Sequence, residues 1–415
     1  MPNLSIEQAA YAIYTPAIQP YASLYPLNND PAAFAARVGD KLALADMNFL
    51  TPNPVCHIGY GLYSAGLALD QDKPCSVTMR DRGTTFIIGD SGGFQAIKGK
   101  LGPIDNPLRL RVLRWQEKHC DAGHILDVPL KALDFPSQSG FHTFEQCLEA
   151  TVKGVAYFSD KRENPEFKLM AIFQGRTQAE ADRWYEAVRQ FKVEGYSFAG
   201  VMKTNFLYVA KRLLTMAERG EITADTSLHF LGVATPEVAI ILTALKRALR
   251  NAGFTNLQIT FDTSTPFSEA GIYKRAGAGL KFNRDKLTVH RQQLPIEPKE
   301  CCPTAPFPYN SPIGRRLTMG DLMPHRSGDT GWDEAGWNML ANHNLHVEVA
   351  SIIQANKIMD IGYRLSGAIP YHVREAVGAI WQIFNTDQPG KYLQKHRDAL
   401  TSFTSALGDD EDSQR

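Results

Sequence analysis

Four polar residues stand where apolar runs of the sequence end: Asp90 after FIIG, Asp127 after HIL, Gln174 after KLMAIF and Asp262 after LQITF. Each run reads as a buried strand, so each polar group falls at a strand's carboxyl end. Carboxylates gathered at one place can serve as nucleophile and as proton carrier. Asp90 is followed at once by Ser91, Gly92 and Gly93, within FIIGDSGGFQAIKG. Glycines there let backbone approach a reacting group where a side chain would obstruct it. An acid before a glycine turn also has a local use, as an Asx-turn or a helix cap. Taken singly, Asp90 does not decide between the two.

The elements that must position these groups alternate. Between the apolar runs lie helical patterns: TQAEADRWYEAVRQFK puts Ala181, Trp184, Tyr185, Val188 and Phe191 near one face. TPEVAIILTALKRALRNAGF opens with Thr235 capping Pro236 and Glu237 and stops at Gly253. YSFAGVM and LHFLGVA supply further strands, at 196–202 and 228–234. Strands alternating with helices mean a parallel sheet, either doubly wound or closed on itself. Only a barrel brings so many strand ends to one mouth, so the expected fold is α/β, a (β/α)8 TIM barrel. Residues 1–295 should hold its main part, 296–340 a Pro/Gly-rich irregular insertion and 341–400 the closing helices. The acidic end, 401–415, should be disordered.

The chain of 415 residues suits one barrel with insertions. Its 44 basic residues balance 44 acidic ones, so no whole-molecule field steers it toward nucleic acid or an anionic membrane. Any polyanion site must be a local patch. Six cysteines, mostly isolated, argue against a secreted disulfide scaffold and for a reducing compartment. The first thirty residues lack a signal peptide's basic start and apolar core, and no run reaches the length of a membrane span. A soluble, cytoplasmic protein without a membrane partner is expected.

Seven segments taken in order are DSGGFQ (90–95), LDVP (126–129), FQG (173–175), AGVM (199–202), GVATPE (232–237), FDTSTP (261–266) and HNL (343–345). Together they resemble the tRNA-guanine transglycosylase superfamily, which exchanges guanine for a 7-deazaguanine without cutting the sugar-phosphate backbone. The resemblance spans residues 80–355 and implies a (β/α)8 barrel with a zinc-bearing insertion late in the chain. Displacing a base from C1′ builds an oxocarbenium-like centre, which a carboxylate can capture as it does in retaining glycosidases. By position in its motif, Asp262 is then the nucleophile. Asp90 matches the acid that manages the protons of the departing and arriving bases, with a pKa raised by burial near other carboxylates. Ser91, Gly92 and Gly93 would lie beside the reacting nucleotide. Asp127 matches the acceptor for the N1 and exocyclic-amine edge of guanine, and Gln174 and Gly200 match groups on its O6 side.

The departures narrow the substrate. In tRNA-modifying members two arginines follow the nucleophile segment; here Pro266 is followed by Phe267, Ser268 and Glu269. Intact carboxylates without those arginines resemble the DNA-guanine transglycosylases, the DpdA group of bacteria and phages. The expected activity is a pentosyltransferase replacing guanine in DNA with a preQ0-like 7-deazaguanine through a covalent Asp262–deoxyribose intermediate. The alternatives are a tRNA-guanine transglycosylase of queuosine or archaeosine type and a non-catalytic paralogue that binds nucleic acid. DNA and the free 7-deazaguanine base are the expected partners, with a homo-oligomer or an accessory modification protein left open. Lys274, Arg275, Lys281 and Arg284, joined by Lys286 and Arg291 against the single acid Asp285, are candidate phosphate contacts. A solvated charged face is the plain alternative.

Family zinc sites take three cysteines and the histidine of HNL. ECCPTA at 300–305 supplies only Cys301 and Cys302, so the expected structural zinc would use Cys302, His343 and Cys301, with His325 and His346 as substitutes. Its alternative is a metal-free insertion packed by Trp332 and Trp337. NPVCHIGYGLYSAG, residues 53–66, reads as core, or as part of the pocket for a flipped base.

Overall fold

The computed structural model describes residues 4–271, 277–295, 300–323, 332–361, 367–401 and 403. Its main sheet holds β1 (Ile13–Tyr14), β2 (Tyr60–Ser64), β3 (Phe86–Asp90), β4 (Ala122–His124), β5 (Lys168–Phe173), β6 (Gly195–Phe198), β7 (Ser227–Phe230) and β8 (Gln258–Phe261). Every pairing is parallel, in sequence order from β2 to β8, and β1 returns to pair with β8. A parallel bridge from Ala17 to Leu62 joins the two edges, with Leu62 N–H donating to Pro16 and Ile18 N–H to Leu62 at 2.9 Å. This is the expected eight-stranded barrel. The sequence reading missed β1 and β2. A two-residue strand has no periodicity to detect, and YGLYS becomes a strand because β3 offers it a ladder from Tyr60↔Phe86 to Ser64↔Asp90.

Period two along each strand separates an outer face from an inner one. Outward go Phe173, Phe198, Phe230 and Phe261, which the helices bury; Phe198 stacks on Phe230 at 5.1 Å, and the Trp184 indole donates to the Ile172 carbonyl at 2.8 Å. Inward, Leu62, Ile88, Ala122 and Met170 form a small apolar floor. Above that floor the interior turns polar: His124, Ser197, His229 and Thr260 are all buried.

The two helices read from sequence form as Gln178–Val188 and Pro236–Asn251. Thr177 and Thr235 each accept an amide of the first turn, as capping requires. Among the described residues no helix is long and apolar enough to cross a membrane.

Beyond the barrel, β9 (Ala278–Asn283) and β10 (Thr288–Gln293) make an antiparallel hairpin. Helix Glu334–Ile361 starts inside the expected insertion and packs on β9 and on helix Thr265–Gly271, which lies shortly after Asp262. Trp332 is buried and donates to the Pro295 carbonyl, while Trp337 packs edge-on against Tyr21. The acidic segment GDDEDSQR lies outside the described residues.

Candidate active site

Asp262 directly follows β8, with its side chain almost wholly buried. One oxygen, Oδ1, accepts two bonds: from the Gly232 amide at 2.8 Å and from His229 Nε2 at 3.1 Å. Oδ2 accepts none among the described residues. Gly232 provides its amide from a left-handed turn, φ 62°, and its carbonyl is held by the buried Lys203 ammonium at 3.0 Å.

Asp90 ends β3, and its Oδ2 accepts the Gly92 amide at 3.2 Å. It keeps some access to solvent through the mouth, yet loss of water around its carboxyl is the largest influence and raises its pKa. The Ser64 hydroxyl and nearby amides pull the pKa back, and the charge of Asp262 pushes it up again. Ser64 sits opposite Asp90 in the β2–β3 register, so the segment read as core also reaches this site. Gly92 has φ 83°, and a Cβ there would stand 2.5 Å from the Gly66 Cα. No side chain fits between those two backbones. Ser91 is buried with no hydroxyl partner among the described residues.

Asp127 is buried beyond the end of β4, and burial, with the charge of Asp90 added, pushes its pKa up to about 8. It therefore holds its proton at neutral pH. Gln174, just past β5, donates Nε2–H to Asp127 Oδ2 and accepts the Leu130 amide on its own oxygen at 2.9 Å. A Cβ at Gly93 would come 3.1 Å from Asp127 Oδ1, so this glycine keeps that oxygen approachable. Gly200 opens a turn after β6 with φ 63° and open space where a Cβ would be. Asp262, Asp90 and Asp127 thus share one electrostatic neighbourhood at the mouth, Asp262 acting on Asp90 and Asp90 on Asp127.

His229 and Lys203 were missed by the sequence reading, and Ser64 was covered only by the pocket alternative for residues 53–66. LHFLGVA scans as an apolar run, and only period two along β7 would have turned its histidine inward beside Asp262. Two clefts of about 400 and 330 Å3 lie among the outer helices, and none of these mouth residues lines them.

Lys281 and Arg284 are exposed on the hairpin, Lys281 beside the Tyr309 ring. Lys274 and Arg275 lie outside the described residues. Arg291 pairs with Glu269 at 3.0 Å, so this acid is matched by a cation from β10.

HNL ties this hairpin down. His343 donates Nε2–H to the Leu280 carbonyl and takes the Ser311 hydroxyl on Nδ1, at 3.0 and 2.8 Å, and it stacks on Tyr309. Burial lowers its pKa to about 4, in keeping with a neutral ring that donates once and accepts once. Asn344 donates to the Pro266 and Ala278 carbonyls and accepts the Leu280 amide. Cys302 is exposed beside the Thr304 hydroxyl, and Cys301 is half-buried. Among the described residues no three His, Cys, Asp or Glu side chains are grouped to hold a metal. Both nitrogens of His343 are committed elsewhere, so His343, Cys301 and Cys302 as placed do not fit a tetrahedral zinc centre. His325 lies outside the described residues, and His346 is held near a pKa of about 4 by burial.

The fold and this mouth define a parallel barrel with an acidic, partly desolvated centre at its strand ends. No family model matches the chain, and no curated protein matches it.

Proposed function

We propose that this protein is a guanine transglycosylase that replaces guanine in DNA with a preQ0-like 7-deazaguanine, acting in the cytoplasm on DNA and the free base. The observation that supports it most is the set of three mouth carboxylates in different surroundings: Asp262 with one oxygen held and one open, Asp90 with its pKa raised, and Asp127 with its pKa raised to about 8, close enough to neutral to release its proton to a bound base edge.

Asp262 Oδ2 attacks C1′ of the deoxyribose, the C1′–N bond breaks, and its electron pair leaves with guanine. Asp90 supplies the departing base with a proton and takes one from the arriving base. The new base then displaces Asp262 from C1′. Asp127 and Gln174 read the base edges, Ser91 and Gly200 offer a free hydroxyl and an uncovered backbone beside them, and no step needs a metal. A duplex base must leave the stack first, at about a few kcal/mol. Lys281 and Arg284 contact the backbone of that strand.

The test is incubation with labelled guanine or preQ0 and three polymers: single-stranded DNA, duplex DNA and tRNA. Label should enter DNA. Entry into tRNA alone would replace the DNA assignment with the tRNA one. No exchange and no trapped adduct with any polymer would leave only nucleic-acid binding.

A further inference from the structure

Beneath the nucleophile lies a buried polar column that the mouth residues do not explain. His229 Nε2 stands 3.1 Å from Asp262 Oδ1, and its Nδ1 stands 2.7 Å from the Thr260 hydroxyl. Both rings and strands there are sealed from solvent: His229, His124 and Ser197 have no exposed surface. The His124 ring packs at 5.1 Å on His229, and neither its nitrogens nor the Ser197 hydroxyl have a partner among the described residues. Burial holds His124 well below the usual histidine range, so it faces His229 uncharged. Asp262 is then the one charged group bonded to His229 among the described residues.

The tautomer follows from the acceptors. A carboxylate only accepts, so Nε2 must carry hydrogen. The Thr260 hydroxyl has one proton and two acceptors, His229 Nδ1 at 2.7 Å and the Leu228 carbonyl at 3.3 Å. The nearer one is served. Thr260 thereby sets the ring, and the ring sets the carboxylate.

We propose that His229 is the positioning residue of the nucleophile: it pins Asp262 Oδ1 from the Nε2–H tautomer that Thr260 selects, leaves Oδ2 as the attacking atom, and stabilises the carboxylate as it leaves the sugar. The last part rests on the glycosyl-transfer reading. When the arriving base forms its C1′–N bond, the C1′–Oδ2 pair returns to Asp262, and a donor on Oδ1 lowers the energy of that developing charge.

Two measurements test it. The first is ring 15N NMR on the resting protein, with the His229 signals assigned by their loss in His229→Gln. A proton on Nε2 and a bare Nδ1 are expected, with Thr260→Val shifting hydrogen toward Nδ1; a wild-type ring protonated on Nδ1, alone or with Nε2, overturns the proposal. The second is the decay of the trapped DNA adduct when free guanine is added. His229→Phe should lengthen its lifetime about tenfold, and His229→Gln, which keeps an N–H donor, should restore most of the rate. Equal lifetimes in wild type, His229→Phe and His229→Gln overturn it. If His229→Phe does not fold, Thr260→Val takes its place with the same expectation. A wild type that forms no adduct removes the glycosyl-transfer reading, and the ring protonation then decides whether His229 holds Asp262.

Discussion

Asp127 is an acid that keeps its proton at neutral pH, with a pKa of about 8 in the folded chain against about 4 when unfolded. Below pH 4 both states hold the proton and pH has no leverage. Between 4 and 8 the unfolded chain releases it while the native one does not, so stability should fall as pH rises through that window, by on the order of a few kcal/mol. Asp127→Asn should flatten the slope in urea titrations run across it. On the proposed reading, guanine's N1–H and amine need the ionised form, so base affinity should rise with pH up to about 8. Affinity independent of pH would detach Asp127 from base reading. Asp262→Asn keeps the shape of the side chain and removes its charge; it should fold and bind nucleic acid but form no adduct and exchange no base. Normal exchange would remove Asp262 from its role.

At the level of elements, helix Glu334–Ile361 holds β9 through the HNL side chains, and β9 carries the basic hairpin. Asn344→Ala strips the Leu280 amide and two buried carbonyls of their partner at once. A loss of about 2–3 kcal/mol is expected, with faster amide exchange at Leu280. Unchanged exchange there would show that the hairpin is held by other contacts. Because these are hydrogen bonds and ring packing, chelation should leave the melting temperature unchanged; a clear drop would mean that His343 and the cysteines gather around a metal. Thr235→Ala, removing the cap of Pro236–Asn251, should cost about 1 kcal/mol by denaturant midpoint.

The molecule as a whole carries equal numbers of basic and acidic residues, so any grip on DNA is local. The hairpin exposes Lys281 and Arg284. Charge reversal at Lys281 and Arg284 together should weaken DNA binding for every sequence tested and reduce the salt slope by about two. A sequence-dependent loss, or none, would take Lys281 and Arg284 out of the proposed DNA contact.

Much of the barrel was legible because buried parallel strands and amphipathic helices leave local signatures: FIIGD became β3 residue for residue, and the Thr235 cap formed. The carboxylates could be named for a related reason, since a polar residue at the end of an apolar run marks a strand end facing the mouth. Other features have no local signature. Tyr60–Ser64 is a strand only because β3 pairs with it, and Gly66 matters only because Gly92 meets it. His343 matches a metal-ligand motif in sequence, but its partners are Leu280 and Ser311, which the chain brings from elsewhere. The sequence by itself determined the strand–helix alternation and which acids end the strands, because those depend on neighbours within a few residues. Only the tertiary structure decided that Asp127 keeps its proton and that His229 lies against Asp262. Desolvation and hydrogen bonding act through space, between strands that lie tens of residues apart in the chain.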